Sequence, residues 1–264
     1  MSFAPIAGGE LFYESVGAGP PLLLVPGLGG VGAFWRLQVR AFANRFTVVT
    51  HDHRGCGQSV KTIGGYTVDR MADDVLALMD HLKIARASFA GHSTGGAIGQ
   101  RIAVRAPGRI AKLVLSSTWT YADAYFRRAF ASRKAVLLGL GPEAYTRLGT
   151  LVLHDPEFIA RNDAALAEHE RATIAAFPPP EIVAQRIDAI CAFDGRADLE
   201  RIACPTLVAC AVDDVVTPIY FSRALAAAIP GARLVELAGG GHFTPVARAD
   251  DWNRAVADFL ATSP

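Results

Sequence analysis

The chain of 264 residues has a net charge of +1 and a hydrophobic content of 51%. Its length suits one large domain or two small ones, and its apolar fraction is enough for a substantial core. The balanced charge gives no electrostatic reason to expect nucleic acid or an anionic membrane as a partner. We expect a cytoplasmic protein, because the sequence shows neither a signal peptide nor an apolar run long enough to span a membrane.

Short apolar runs alternate with helical patterns along most of the chain. The predicted strands cover residues 11–16, 21–25, 46–50, 87–90, 110–116, 205–212 and 233–237. The clearest helical pattern covers residues 67–82, where apolar residues recur at helical spacing after Thr67, a suitable N-cap residue. This alternation predicts an α/β fold, with a mostly parallel twisted sheet and helices on both faces. In such sheets the chemistry lies at the carboxyl ends of the strands.

Residues 121–200 interrupt the alternation. This segment is alanine-rich and helical in pattern, with turn signals at residues 139–142, 155–156 and 178–180. Such punctuation predicts several short helices joined by turns. We interpret residues 121–200 as a helical cap over the strand ends, and residues 1–120 together with 201–264 as a single core domain.

A G-x-S-x-G pentapeptide at residues 91–95 follows one predicted strand and precedes a helical pattern at residues 96–106. A sharp turn from strand to helix exposes a serine above the sheet, and flanking glycines permit the bend. Ser93 is therefore the candidate nucleophile. Its hydroxyl needs a general base, and the base needs a group that fixes its tautomer and stabilises its charged form.

The partners of the serine are expected later in the chain. His242 is the candidate base, because it follows three glycines directly after the last predicted strand. The acid is expected at the end of the strand before, where Asp213 and Asp214 are adjacent. Neighbours on an extended segment point in opposite directions, so only one of the two can face His242. The order Ser, Asp, His is the one that this architecture uses.

Catalysis by a serine also needs hydrogen-bond donors for the developing oxyanion. One donor is expected to be the backbone N–H of Thr94, at the start of the helix after the nucleophile. The other is expected from the glycine-containing loop at residues 26–30, where the Leu28 N–H is the natural candidate. The glycines of this loop let its backbone approach a ligand closely.

The sequence predicts no metal and no organic cofactor. His51 and His53 flank Asp52, but no further ligand accompanies them. The four cysteines form no C-x-x-C pair and have no zinc spacing, which indicates reduced thiols. The loop at residues 26–30 matches neither G-x-x-x-x-G-K-[ST] nor G-x-G-x-x-G, so a nucleotide site is not expected there.

Together these segments resemble the α/β-hydrolase superfamily over nearly the whole chain. The resemblance is carried by PGLGG at residues 26–30, DHRGCGQS at 52–59, GHSTGG at 91–96, Asp214 with Pro218, and Gly241-His242. It implies an α/β-hydrolase fold with the helical cap inserted after the sixth strand. It also selects Asp214, which fits the D-x-x-x-P register of the family, whereas Asp213 does not. Many relatives begin the oxyanion loop with His-Gly, where this chain has Pro26-Gly27.

Within the superfamily the chain looks most like the group of 3-oxoadipate enol-lactonase and aminoacrylate hydrolase. This resemblance implies a cytoplasmic serine hydrolase that acts on a small ester, lactone or enol-lactone in small-molecule catabolism, without a cofactor. The same triad also serves aminoacrylate-type hydrolysis, C–C bond hydrolysis, perhydrolysis and acyl transfer. A ligand receptor on a hydrolase scaffold is the alternative that is not an enzyme. A homodimer is compatible with this interpretation, and no partner besides a small-molecule substrate is expected.

Three residues at the start of the cap are candidates for contact with the substrate. Trp119 follows the strand at residues 110–116, so it is expected either to line the pocket or to pack the cap against the core. Arg127 and Arg128 are adjacent on a predicted helix, so at most one of them points inward. An inward arginine favours a substrate with a carboxylate, and the alternative for both is a solvated helix face.

Overall fold

The computed structural model describes residues 2–262 of the chain. They form one eight-stranded sheet in the order β1-β2-β4-β3-β5-β6-β7-β8. The β1–β2 and β2–β4 pairs are antiparallel, and the other neighbours are parallel. The strands are β1 (Ser2–Ile6), β2 (Gly9–Val16), β3 (Pro21–Val25), β4 (Thr47–His51), β5 (Ala87–His92), β6 (Ile110–Ser116), β7 (Thr206–Ala211) and β8 (Arg233–Leu237).

Helices follow most of the strands. They are α1 (Arg36–Phe42), α2 (Val68–His81), α3 (Thr94–Arg105), α4 (Ala124–Leu153), α5 (Pro156–Ala175), α6 (Pro180–Ala192), α7 (Ile219–Ala228), α8 (Thr244–Ala247) and α9 (Ala249–Ala261). Within the described range, no helix is both long enough and apolar enough to cross a membrane.

The central strand β3 shows why the sheet is covered on both faces. Leu23 and Val25 belong to a hydrophobic cluster that includes residues of α2, α3 and α7, whereas Leu22 and Leu24 belong to a second cluster with residues of α1 and α9. Successive side chains of a strand point to opposite faces, so an uninterrupted apolar run buries both of them. The predicted α/β fold with a mostly parallel sheet is therefore confirmed.

The predicted helix at residues 67–82 is also confirmed, and it forms α2. The Thr67 side chain accepts a hydrogen bond from the Arg70 N–H at 2.9 Å, which satisfies one of the unpaired amides of the first turn. The apolar residues at helical spacing, including Met71 and Val75, are buried against the sheet.

The edges of the sheet differ from the prediction. β1 was missed, because it is a short edge strand that contains Pro5 and buries only alternate side chains. β2 begins at Gly9, two residues before the predicted start, because the β1–β2 hairpin pairs Gly9 with Ile6. β5 continues past the predicted end to His92, where it pairs with Ser116 of β6.

The cap segment, residues 121–200, consists of α4, α5, α6 and a short 3-10 helix, Arg196–Arg201. Its first two helices are longer than the prediction of several short ones, and the predicted turns lie at their breaks and ends. α4 breaks at Gly141 (φ 86°, ψ −178°), and α5 begins after Asp155, whose side chain accepts from the Phe158 N–H at 2.8 Å. Cap side chains, including Phe126, share the hydrophobic cluster of α2 and α3. The cap therefore packs directly on the core.

Candidate active site

The candidate nucleophile lies in a strained turn between β5 and α3. Ser93 has φ 53° and ψ −115°, a conformation that is uncommon for a residue with a side chain. The turn leaves no room for side chains on either flank. A Cβ on Gly91 would lie 2.2 Å from the Gly95 oxygen, and a Cβ on Gly95 would lie 2.1 Å from the Val25 oxygen. The two glycines of the pentapeptide are thus required by backbone contacts, as expected for a nucleophile elbow.

The acid candidate holds the imidazole of His242. Asp214 Oδ2 lies 2.8 Å from His242 Nδ1, and both side chains are buried. The carboxylate also accepts hydrogen bonds from the Val216 N–H at 2.8 Å, the Thr217 N–H at 2.9 Å and the Thr217 hydroxyl at 2.9 Å. Burial alone would raise the pKa of the Asp214 carboxyl, but His242 and the two Thr217 donors hold that pKa below its ordinary value. Asp214 is therefore a fixed carboxylate.

The neighbouring aspartate points the other way and holds the backbone of the same loop. Asp213 is exposed, and its carboxylate accepts hydrogen bonds from the Gly241 N–H at 3.0 Å and the Gly240 N–H at 3.3 Å. One aspartate therefore contacts the histidine ring, and the other contacts the loop that carries it. This arrangement agrees with the choice of Asp214 as the acid.

The three candidate catalytic residues all lie just beyond the carboxyl ends of parallel strands. Ser93 follows β5, Asp214 follows β7 and His242 follows β8. The His242 ring centre lies 4.8 Å from that of His92, the residue before the serine. Within residues 2–262 the Ser93 hydroxyl makes no hydrogen bond, and in hydrolases without substrate such a contact often tightens only on binding. With Nδ1 held by Asp214, the Nε2 atom of His242 is left to act as the base.

His92 packs beside the ring of His242. It is buried, its ring stacks on Phe34 at 4.9 Å, and its Nδ1 lies 3.4 Å from the Ser116 hydroxyl. Burial, with a smaller contribution from the charge of His242, lowers the pKa of His92 well below its ordinary value. The ring of His92 therefore packs beside that of His242 as a neutral group.

The loop at residues 26–30 lies against the nucleophile, since a Cβ on Gly27 would be 3.1 Å from the Ser93 Cβ. Several of its carbonyls are held by other groups. His53 Nε2 lies 2.9 Å from the Pro26 oxygen, and an arginine of the cap, Arg186, donates to the Leu28 oxygen at 3.0 Å. The Leu28 N–H has no acceptor within the described residues. The Leu28 carbonyl is therefore occupied, and the role of the Leu28 amide as an oxyanion donor stays a prediction.

The second candidate donor, the Thr94 N–H, is the first amide of α3. The first amides of a helix have no carbonyl one turn earlier to which they can bond, and the helix dipole adds positive potential there. Both features suit an amide that receives negative charge from a ligand.

Comparison with known proteins places this geometry in a family. A family model described as alpha/beta hydrolase fold matches residues 20–139. Over 259 residues the chain is 41% identical to a protein of Azorhizobium caulinodans named "Putative carbamate hydrolase RutD", with 98% of each chain covered. The chain belongs to the α/β-hydrolase family. This confirms the resemblance inferred from the sequence motifs.

Solved structures of hydrolases have the same fold along their whole length. An enol-lactonase from Burkholderia xenovorans LB400 is 32% identical, with a TM-score of 0.92 and coverage of 99% of this chain and 100% of that one. A hydrolase from Pseudomonas aeruginosa PA01 is 34% identical, with a TM-score of 0.89 and coverage of 99% and 98%. The fold prediction and the assignment to the hydrolases are confirmed by these likenesses.

The three residues predicted to contact the substrate, at the start of the cap, have different surroundings in this α/β-hydrolase. Trp119 is fully buried, and its ring packs 4.6 Å from that of Phe126 and 6.4 Å from that of Phe193. The ring therefore packs between the core and the cap, and its contact with a substrate stays a prediction. Arg127 and Arg128 are both exposed, and Arg127 donates to a carbonyl next to the start of its own helix, that of Ala122.

A groove of about 570 Å³ lies outside the catalytic residues. It runs between α6 and the N-terminal end of α2, and its lining includes Asp69, Arg101 and Asp188. None of the three candidate catalytic residues lines it. In sheets of this type the chemistry is expected at the carboxyl ends of the strands, where Ser93 and its neighbours lie, so Ser93 rather than the groove stays the candidate for the active site.

The described residues contain no group of three or more His, Cys, Asp or Glu side chains that could hold a metal ion. His53, which the sequence placed beside Asp52, instead contacts the Pro26 carbonyl.

The thiol of Cys210 lies 3.7 Å from Asp214 Oδ2, and burial raises the pKa of that thiol. A protonated thiol there is a weak donor to the carboxylate.

Two residues of the site were missed by the sequence reasoning. Thr217 was detectable in principle, because a threonine three residues after an aspartate can donate to it within one turn. Arg186 carried no local signal, because the Leu28 carbonyl that it contacts is 158 residues away in the chain.

Proposed function

We propose that this α/β-hydrolase is a serine hydrolase that cleaves a small ester, lactone or enol-lactone with Ser93, His242 and Asp214. The observation that carries the proposal is the buried Asp214–His242 pair, 2.8 Å apart, beside a serine in a strained turn. A carboxylate that fixes the tautomer of a histidine next to a serine hydroxyl is the arrangement by which serine is activated.

In the proposed mechanism, His242 Nε2 accepts the proton of Ser93 Oγ as this oxygen attacks the carbonyl carbon of the substrate. Asp214 stabilises the imidazolium that forms, and the Leu28 and Thr94 amides donate to the oxyanion. The tetrahedral intermediate collapses, and His242 returns the proton to the leaving oxygen. Water then attacks the acyl-enzyme with His242 as the base, which releases the acid and restores the Ser93 hydroxyl.

A second candidate substrate class is a carbamate. It is favoured by the 41% identity to the protein named as a carbamate hydrolase, which extends over 98% of both chains. Esters, lactones and carbamates all present a carbonyl with a heteroatom leaving group, so the proposed triad and oxyanion donors suit each of them. Aminoacrylate-type hydrolysis, C–C bond hydrolysis, perhydrolysis and acyl transfer rest on the same triad, without an observation that favours them.

A panel with matched leaving groups separates the two candidate classes. Turnover of p-nitrophenyl acetate, p-nitrophenyl carbamate and a five-membered enol-lactone is measured with the wild type and with Ser93→Ala. We expect kcat/KM to be highest for the ester or the enol-lactone, and we expect the carbamate to release one equivalent of p-nitrophenol and then stop. Repeated turnover of the carbamate would favour the second candidate. Near wild-type rates in Ser93→Ala would contradict serine catalysis for either class.

A further inference from the structure

A buried arginine of the cap contacts the oxyanion loop from behind. Arg186, on α6, is 1% exposed. Its Nη2 donates to the Leu28 oxygen at 3.0 Å, and its Nη1 donates to the Arg54 oxygen at 2.8 Å. One side chain of the cap therefore joins two loops of the core, one after β3 and one after β4.

No carboxylate within residues 2–262 lies in salt-bridge distance of this guanidinium. Arg54, by contrast, is buried beside Asp74, which neutralises it. Burying a charge is unfavourable unless it is paired, so an arginine held by carbonyls is a poor choice for stability alone. The charge of Arg186 also affects a neighbouring group. The pKa of His51 is lowered to about 4, mainly by the burial of His51 and to a smaller extent by the nearby Arg186.

The contact to Leu28 fixes the loop that carries the candidate oxyanion donor. The Gly30 N–H donates to the Gly27 oxygen at 3.0 Å, and the His53 N–H donates to the Gly30 oxygen at 2.7 Å. With His53 on the Pro26 oxygen, every one of these partners belongs to the core. Of the described contacts to the carbonyls of this loop, the one from Arg186 alone comes from the cap.

We propose that Arg186 is a positioning residue, which fixes the oxyanion loop so that the Leu28 amide points at the reacting carbonyl. The inference rests on the proposed function, since it assumes that the Leu28 amide receives the oxyanion. Its physical basis is that a charged donor forms a stronger hydrogen bond to a carbonyl than a neutral one. The oxyanion donor is then in place when the cap is docked on the core.

The test compares Arg186→Met and Arg186→Lys with a control on the same helix. Asp188→Asn is that control, because Asp188 is exposed and pairs with Lys134 at 2.7 Å, away from the loop. For each protein, kcat and KM are measured on the best ester of the panel, along with thermal unfolding. The inhibition constant of a trifluoromethyl ketone is also measured, since this compound forms a tetrahedral adduct with an oxyanion.

We expect Arg186→Met to lower kcat and to weaken the ketone by roughly 10- to 100-fold, with KM nearly unchanged, because a misplaced donor weakens binding of the transition state alone. Arg186→Lys, which keeps the charge and reaches one carbonyl, should recover part of both losses. Asp188→Asn should resemble the wild type.

A folded Arg186→Met protein with unchanged kcat and ketone affinity would overturn the inference, as would equal losses in Asp188→Asn. If Arg186→Met does not fold, Arg186→Lys decides: wild-type ketone affinity in that variant contradicts a positioning role. Labelling of Ser93 by a fluorophosphonate in the wild type distinguishes failure of the proposed function from failure of this inference. Failure of that labelling would contradict the proposed function, whereas labelling with unchanged ketone affinity in the variants would contradict the inference alone.

Discussion

At the scale of single residues, the two adjacent aspartates show how chemistry is divided between neighbours. Asp214 accepts three hydrogen bonds from Val216 and Thr217 while it contacts His242, so its carboxylate has one possible orientation. Asp213 instead accepts two backbone amides of the loop that carries the histidine. The effects of replacing Asp213 and Asp214 on kcat can therefore be compared directly.

Asp214→Asn should lower kcat by about 10⁴-fold while the protein stays folded. The amide cannot stabilise the imidazolium, and it favours the tautomer in which Nε2 is protonated and unable to accept the serine proton. The measurement is kcat on the best ester of the panel, with circular dichroism as the check on folding.

Asp213→Asn is the matched control for that change. Its amide oxygen still accepts from the backbone of residues 240–241, so kcat should fall by less than roughly tenfold. Equal losses in the two variants, or a larger loss in Asp213→Asn, would show that Asp214 is not the acid.

The sequence predicted these residues to a limited depth. Ser93 and His242 were selected because each follows a strand and is flanked by glycines. Such local patterns can be recognised in a sequence without knowledge of the fold. The position at the end of a strand narrowed the acid to two adjacent aspartates, of which only one can face His242, and the family register was needed to choose between them. Thr217 was overlooked because a hydroxyl near a carboxylate has many uses in loops.

At the scale of elements, hydrogen bonds join the cap segment to three loops of the candidate site. The Phe243 N–H, next to His242, donates to the Leu153 oxygen at the end of α4 at 2.7 Å. The Tyr125 hydroxyl donates to the Val215 oxygen beside Asp214, and Arg186 donates to the Leu28 oxygen. The cap segment thus contacts the histidine loop, the acid loop and the oxyanion loop.

Two glycines of α4 offer a matched test of how this helix is built. Gly141 has φ 86° and ψ −178°, a conformation that is accessible to glycine but strained for other residues, whereas Gly139 is helical. A Cβ on either glycine would meet no atom within 4 Å. Gly141→Ala should therefore destabilise the protein by about 1–3 kcal/mol through backbone strain alone. Gly139→Ala should stabilise it by roughly 0.5–1 kcal/mol.

The free energy of unfolding, measured with urea at constant pH, decides between these outcomes. If Gly141→Ala proved neutral or stabilising, the break in α4 would not be a fixed feature of the cap. The sequence marked this position by Gly141-Pro142, but it did not reveal that helix continues for many residues on both sides. Turn residues indicate where a helix bends, whereas helix length depends on what the helix packs against.

At the scale of the whole molecule, the protein buries several histidines in neutral form. Burial is the main cause that lowers the pKa of His51 and of His154 to about 4 and those of His53 and His92 well below the ordinary value. In the unfolded chain each has a pKa of about 6.5, so unfolding below that pH takes up protons. Stability from this source is fully present above about pH 6.5 and is lost as the pH falls toward 4.

Near pH 5 the four histidines should each bind about one more proton in the unfolded state. The free energy of unfolding should therefore fall by on the order of 4–5 kcal/mol per pH unit there. Urea unfolding at several pH values between 4.5 and 7, roughly the range set by the folded and unfolded pKa values, measures this slope. His154→Asn should reduce this slope by about the contribution of one proton. A flat profile would mean that these histidines are charged in the folded protein.

The central claim is that Ser93 forms a covalent acyl-enzyme, and trapping that species tests it most directly. The protein is mixed with p-nitrophenyl acetate, quenched in acid within the first turnover, digested and analysed by mass spectrometry. We predict an acetyl group on the peptide that contains Ser93 in the wild type, much slower formation of the same adduct in Asp214→Asn, and no adduct in Ser93→Ala. Steady hydrolysis by the wild type with no adduct at Ser93, or an adduct on another residue, would contradict the account.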